Sequence, residues 1–229
     1  MVLRMKNSAV KKEELYAYDP LTENQKITFD AWADGDNLAL IGSAGTGKTF
    51  QALLLALECI TDKDNQQEKI VLFRSVVPTR DMGYLPGTVG EKMEVFETPY
   101  KNIISEILPG DQPYKRLVYT HQFEFMTTSF IRGLTVDNAV IIVDEMQNLN
   151  FHELDSVMTR VGNDCRIIFC GDYHQSDFRE GSERDGVMKF IRILEQLKHF
   201  TVVQFGWDDI VRSDFVRDYI MTKEMLGIR

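Results

Sequence analysis

The sequence predicts an α/β fold: an open parallel sheet with helices on both faces, in a single domain. Short apolar runs rich in β-branched residues, of which 139–143 is the most strand-like, alternate with segments of helical spacing. Strands of that kind are buried on both faces and joined by helical crossovers. A glycine-rich turn stands between the first such run and the helix after it. The chain's 229 residues suffice for one such domain with a substantial core, and two full domains of this type would not fit.

Residues 1–19 carry Arg4, Lys6, Lys11 and Lys12 without a clear period and read as an arm, disordered or ordered on a neighbouring copy, ahead of a domain over 20–229. Thr22 and Gln25, three residues apart, read as a capping box opening a helix to about Ala33. Residues 37–41 are an apolar run ending at glycine, and 46–60 follow with leucines at 53, 54 and 57, which makes strand, loop and helix. A polar linker over 61–69 leads to a second buried strand at 70–73. Residues 75–90, with Pro78, Gly83, Pro86 and Gly87, are too irregular to be one element, and a stretch of that length in a compact domain is usually functional. Helical spacing over 91–108 is interrupted at Pro99 and closed by Pro109 and Gly110. The strand at 139–143 precedes a helix at about 151–161, and 166–170 repeats the strand pattern with Gly171 and Asp172 directly after it. A helix at 187–197, a strand at 202–205 and a closing helix at 208–221 complete the series.

Composition excludes several classes. With 26 basic and 35 acidic side chains the net charge is −9, the wrong sign for coating duplex DNA, so any nucleic-acid contact must be local. No run of about 18 apolar residues occurs and the first dozen residues are polar, so a soluble, cytoplasmic protein without a membrane partner is expected. Cys59, Cys165 and Cys170 lie in apolar stretches without paired spacing and read as core thiols. His121, His152, His174 and His199 lack metal-ligand spacing. Trp32, Trp207, Phe123, Phe125 and Phe130 read as packing residues rather than platforms for bases.

Gly42-Ser43-Ala44-Gly45-Thr46-Gly47-Lys48-Thr49 matches the phosphate-binding loop pattern in its confirming context, after a strand and opening a helix. The glycines let backbone N–H groups wrap a triphosphate, with a side chain at Gly47 expected to obstruct the turn. Lys48 then reaches the β- and γ-oxygens and Thr49 ligates Mg²⁺. The strand at 139–143 delivers Asp144 and Glu145 to its C-terminal end, where ligands sit in such sheets. Asp144 holds the metal's water shell and Glu145 orients and polarises an attacking water, an arrangement for hydrolysis rather than transfer to another substrate. Where the 166–170 strand lies between the other two, Asp172 or Gln175 comes near the γ-phosphate, and the Gln175 amide is the better reader of phosphate state because it both donates and accepts.

Gln25, the loop at 42–49, then Asp144-Glu145-Met146-Gln147 and Gly171-Asp172 with Gln175 resemble, in order and spacing, the first motor domain of superfamily-one helicases. More narrowly, Tyr84-Leu85-Pro86-Gly87, Glu91-Lys92, Arg132-Gly133, Asp144 to Asn148, Thr159 to Gly162 and Asp209 to Ser213 make the chain similar to the PhoH family of ATPases, over about residues 22–222. The sequence departs from that pattern at Arg74-Ser75-Val76-Val77-Pro78, where the family has Thr-Arg-Pro and an acid, and at Met146, where alanine is common. The resemblance implies a RecA-like core, ATPase activity and a homo-oligomeric ring, hexameric in the family. It further implies a connection with single-stranded RNA or DNA. By the helicase analogy Gln25 reads adenine, the alternative being a glutamine on an exposed helix face.

A single P-loop without a second motor domain leaves the γ-phosphate short of an arginine. A neighbouring subunit is expected to supply it, from Arg160 first, at the end of the 151–161 helix and projecting from the catalytic edge, with Arg212 and Arg132 as reserves. The function expected is Mg²⁺-dependent ATP hydrolysis coupled to single-stranded nucleic acid. The alternative is a nucleotide-dependent switch that acts on a protein partner.

Overall fold

The structure, a computed structural model, describes the backbone of residues 9–75, 89–127, 133–172 and 181–228 and, except at 89–93 and 181–184, their side chains. Six strands, β1 (Asn37–Gly42), β2 (Lys69–Arg74), β3 (Phe123–Thr127), β4 (Ala139–Asp144), β5 (Arg166–Gly171) and β6 (Phe200–Phe205), form one sheet in the order β3-β2-β4-β5-β1-β6. All five pairings are parallel. The helices are α1 (Glu23–Ala33), α2 (Lys48–Thr61), α3 (Val89–Ile107), α4 (Pro113–Tyr119), α5 (Phe151–Met158), α6 (Gly181–Leu194) and α7 (Asp214–Met225).

Strand side chains alternate between two cores. Leu38, Leu40, Val140 and Ile142 face one side, beneath Leu53 and Leu57 of α2 and Tyr100 and Ile104 of α3. Ala39, Ile41, Ile141 and Val143 face the other, against Leu154 of α5 and Phe190 and Leu194 of α6. Burial on both faces is why these strands read as continuous apolar runs. The fold class expected from the sequence is the one observed, and β5 lies between β1 and β4, the order under which its following residues approach the phosphate loop.

Several elements differ from expectation. β3 and α4 fill residues 111–127, where no element was foreseen. β3 is an edge strand of five residues with Glu124 exposed, and α4 has seven residues, so neither offers a long period. Pro99 lies within a continuous α3 rather than breaking it. The carbonyl deprived of a partner is that of Val95, a residue 53 % exposed, where water can take its place. α5 ends at Met158, α6 begins at Gly181, and the closing helix begins at Asp214, a 3₁₀ turn at Trp207–Asp209 preceding it.

Residues 9–19 do not stand off as an arm. Val10 is buried and exchanges hydrogen bonds with the Gln122 side chain, its N–H donating at 2.7 Å and its carbonyl accepting at 3.3 Å. Arg116 of α4 grips Glu14 at 2.6 Å, and the Tyr16 N–H donates to the Ile107 carbonyl at 2.9 Å. This stretch therefore lies on its own chain. Residues 1–8 fall outside the described residues. Among the described residues no helix is long and apolar enough to cross a membrane.

Candidate functional site

The C-terminal ends of β1, β4 and β5 converge on a cavity of about 1040 Å³ lined by the phosphate loop, Arg74, Tyr100, Asp144, Glu145, Gln147 and Asp172, among others. The loop leaves β1 at Gly42, where φ is +132° and a Cβ would lie 2.0 Å from the Phe205 carbonyl oxygen. Close approach to β6 is thus one reason for glycine there. Gly47 has φ +81°, but a Cβ on it would meet neighbours only at 3.5 Å and beyond, so the left-handed backbone and not obstruction requires glycine.

Around that turn the side chains hold one another. The Lys48 ammonium donates to the Gly42 carbonyl at 2.9 Å and the Ser43 carbonyl at 2.7 Å, and Thr46 Oγ1 donates to the same Ser43 carbonyl at 3.1 Å. Burial pushes the Lys48 pKa down, while the charges of Asp172, Asp144 and Glu145 oppose that shift. Ser43 Oγ donates to Glu224 of α7 at 3.0 Å, and the Val211 N–H donates to the Gly45 carbonyl at 3.0 Å. Ala44 and Arg212 line the same cavity.

β4 brings up the acids. Asp144 is buried; its Oδ1 accepts from Thr49 Oγ1 at 3.0 Å and its Oδ2 from the Tyr100 hydroxyl at 2.8 Å. Burial, then the neighbouring Glu145 charge, raises its pKa, and the two hydroxyls and Arg74 only partly offset this. Glu145 follows with φ +54°, a left-handed turn that carries its carboxylate out of line with the strand. Gln147 Nε2 donates to Glu145 Oε2 at 2.5 Å while Gln147 Oε1 accepts from the Asp172 N–H at 3.0 Å. One buried amide therefore joins the ends of β4 and β5. Sequence reasoning quoted Gln147 without giving it a role, and Tyr100 and Arg74 went unnoticed as site residues because no motif spacing ties them to the loop.

A divalent ion fits this donor set. A hydroxyl and a carboxylate oxygen stand 3.0 Å apart at the loop's end, and hard cations prefer such oxygens while retaining water. Among the described residues no group of three or more acidic, histidine or cysteine side chains is placed to hold a metal ion.

Gln25 is buried rather than on an exposed face; its Oε1 accepts from the Leu21 N–H at 2.8 Å and its Nε2 donates to the Thr46 carbonyl at 3.1 Å. Arg160 does not project from the catalytic edge. Its carbonyl accepts from the Val136 N–H and the next residue, Val161, bridges to Val136, upstream of β4, which puts it at the opposite edge of the sheet. There it is half-buried, with its Nε enclosed and unpartnered. Gln175 and Arg132 lie outside the described residues.

The profile of a family described as "PhoH-like protein" matches residues 18–223. A PhoH-like protein of Mycobacterium leprae is 30 % identical over 203 residues, covering 88 % of this chain and 57 % of that protein. One from Bacillus subtilis is 30 % identical over 200 residues, covering 87 % and 61 %. The chain thus spans little more than half the length of these relatives. Among solved structures, the large terminase of a thermophilic bacteriophage in complex with ADP aligns with a TM-score of 0.54 at 16 % identity, covering 90 % of this chain and 50 % of the terminase. At that identity the likeness is one of fold alone.

Proposed function

The chain belongs to the PhoH-like family, and from that premise we propose that it binds ATP with Mg²⁺ and hydrolyses it. The observation that carries this reading is the meeting of Lys48, Thr49, Asp144 and Glu145, from the end of one strand and the N-terminus of a helix, in one cavity. Triphosphate takes the loop's backbone N–H groups, and the Lys48 ammonium exchanges the carbonyls of Gly42 and Ser43 for phosphate oxygens. Thr49 and Asp144 hold the metal, whose contribution is to neutralise charge on the phosphates. Glu145, fixed by Gln147, orients the attacking water and accepts its proton. That nucleotide is found in the terminase, a protein of the same fold, supports the choice of ligand.

Gln25 is the adenine reader in this proposal. A side-chain amide has two N–H groups and two oxygen lone pairs, and the contacts to Leu21 and Thr46 use one of each. The remaining donor and acceptor match adenine's N7 and N6. Coupling to single-stranded RNA or DNA, the role of Gln175 as phosphate reader, and assembly into a hexameric ring complete the reading. The net charge of −9 favours the second reading, a nucleotide-dependent switch with a protein partner, and ATP turnover with and without single-stranded RNA at low salt separates the two.

Glu145→Gln tests the central claim. Nucleotide binding should persist while turnover falls by about two to four decades, the range for loss of a general base. An unchanged rate would remove Glu145 from the chemistry.

A further inference from the structure

We propose that Arg74 is a catalytic residue of this site, a cation from the same chain that meets the γ-phosphoryl group of bound nucleoside triphosphate. This rests on the ATP-hydrolysis reading and assigns the charge that reading lacks. Arg74 is the last residue of β2 and pairs in register with Asp144 on β4, so its side chain leaves the sheet at the edge where the acids stand.

Three cationic side chains line the cavity among the described residues: Lys48, Arg74 and Arg212. Lys48 belongs to the loop, and Arg212 lies on the loop's far flank, its Cγ 3.0 Å from where a Cβ on Gly45 would be. Of the three, Arg74 is the one that stands in register beside Asp144, on the neighbouring strand. Its guanidinium carbon lies 5.9 Å from the ring centres of both Phe96 and Tyr100, and Nη1 donates at 3.4 Å to the Tyr100 hydroxyl, which itself donates to Asp144. The two rings fix the planar group. That single long hydrogen bond is the only one the guanidinium makes among the described residues, and it forms no ion pair with either acid. An arginine fork so held, with most of its five donors uncommitted among the described residues, is matched to an incoming phosphoryl group.

The chemistry balances without Arg74 exchanging a proton. The water oxygen forms a bond to the γ-phosphorus, the bond from that phosphorus to the bridging oxygen breaks, and its electron pair leaves on ADP. The water's proton passes to Glu145. Arg74 compensates the charge on the non-bridging oxygens of the γ-phosphoryl group from the β2 side, adding to what Lys48 supplies from the loop.

The test compares two ligands. With Mg²⁺ present, Arg74→Met, which keeps an aliphatic stem between the rings, should bind ADP within about threefold of the wild type but lose about 100-fold or more in affinity for ADP with aluminium fluoride, which mimics the transferring phosphoryl group. Its turnover should fall by about 10³ or more, the scale of an arginine aimed at the γ-phosphate. Arg74→Lys should recover part of the loss. Mixing Arg74→Met with Glu145→Gln subunits should restore nothing, since both groups act in one chain. Parallel weakening of both ligands, or of neither, would overturn the assignment, and so would recovery on mixing. A wild-type chain that binds no ADP would overturn the hydrolysis reading beneath it.

Discussion

Buried beside Glu145, Asp144 carries a carboxyl group that holds its proton more tightly in the folded chain than in the unfolded one. Between the ordinary carboxylate value and that raised one the native state binds more protons, so stability declines as pH rises through the window and the loss is complete above it. Asp144→Asn should therefore melt higher than the wild type in metal-free buffer at neutral pH, by about 2–4 °C for each kcal/mol of relief. The difference should shrink as the pH is lowered through the window, and equal melting curves at all pH values would show that the buried charge costs nothing. What could be foreseen at this scale followed local chemistry. Lys48, Thr49 and Asp144 stand in short patterns whose spacing is itself the signal, whereas Tyr100 and Gln147 act through distances set only when strands pair. Tyr100 lies 44 positions from the carboxylate it donates to, and no pattern in a single sequence links them.

Elements with one dominant environment were legible. β1, β4 and β5 are apolar on both faces and could be read directly, while β3, half-exposed at the sheet's edge, has a mixed composition that suits several structures. α7 shows the limit from the other side. It has helical spacing but no buried residue, and Glu224 is one of its ties to the sheet, its Oε2 accepting from Ser43 Oγ at 3.0 Å and from Trp207 Nε1 at 2.5 Å. Glu224→Ala removes the acceptor from both donors, at about 1–3 kcal/mol if they are left dry. Amide exchange across 214–225 should then quicken by about 5- to 150-fold with β1, β4 and β5 unchanged. Uniform acceleration over the whole chain would mean that α7 is part of the global core instead.

For the whole molecule, the expected assembly can be tested by complementation. In a head-to-tail ring the face opposite one subunit's cavity meets the next cavity, and Arg160 stands at that opposite edge of the sheet. Subunits carrying Arg160→Ala and Glu145→Gln, each inactive alone, should regain part of the ATPase rate when mixed. A monomeric mass with full activity would defeat the ring, and an oligomer without recovery would remove Arg160 from the role and leave Arg132, since Arg212 lines its own chain's cavity. The order of strands carries a separate consequence, for how the chain is made. β1 is an early strand whose two neighbours, β5 and β6, are among the last, and Ser43 waits for a partner 181 residues downstream. During synthesis from the amino terminus the phosphate loop therefore exists as sequence long before it exists as a surface. A nascent chain on the ribosome cannot capture nucleotide until β5 and β6 have emerged and closed around β1, so the ligand can reward only a nearly finished fold.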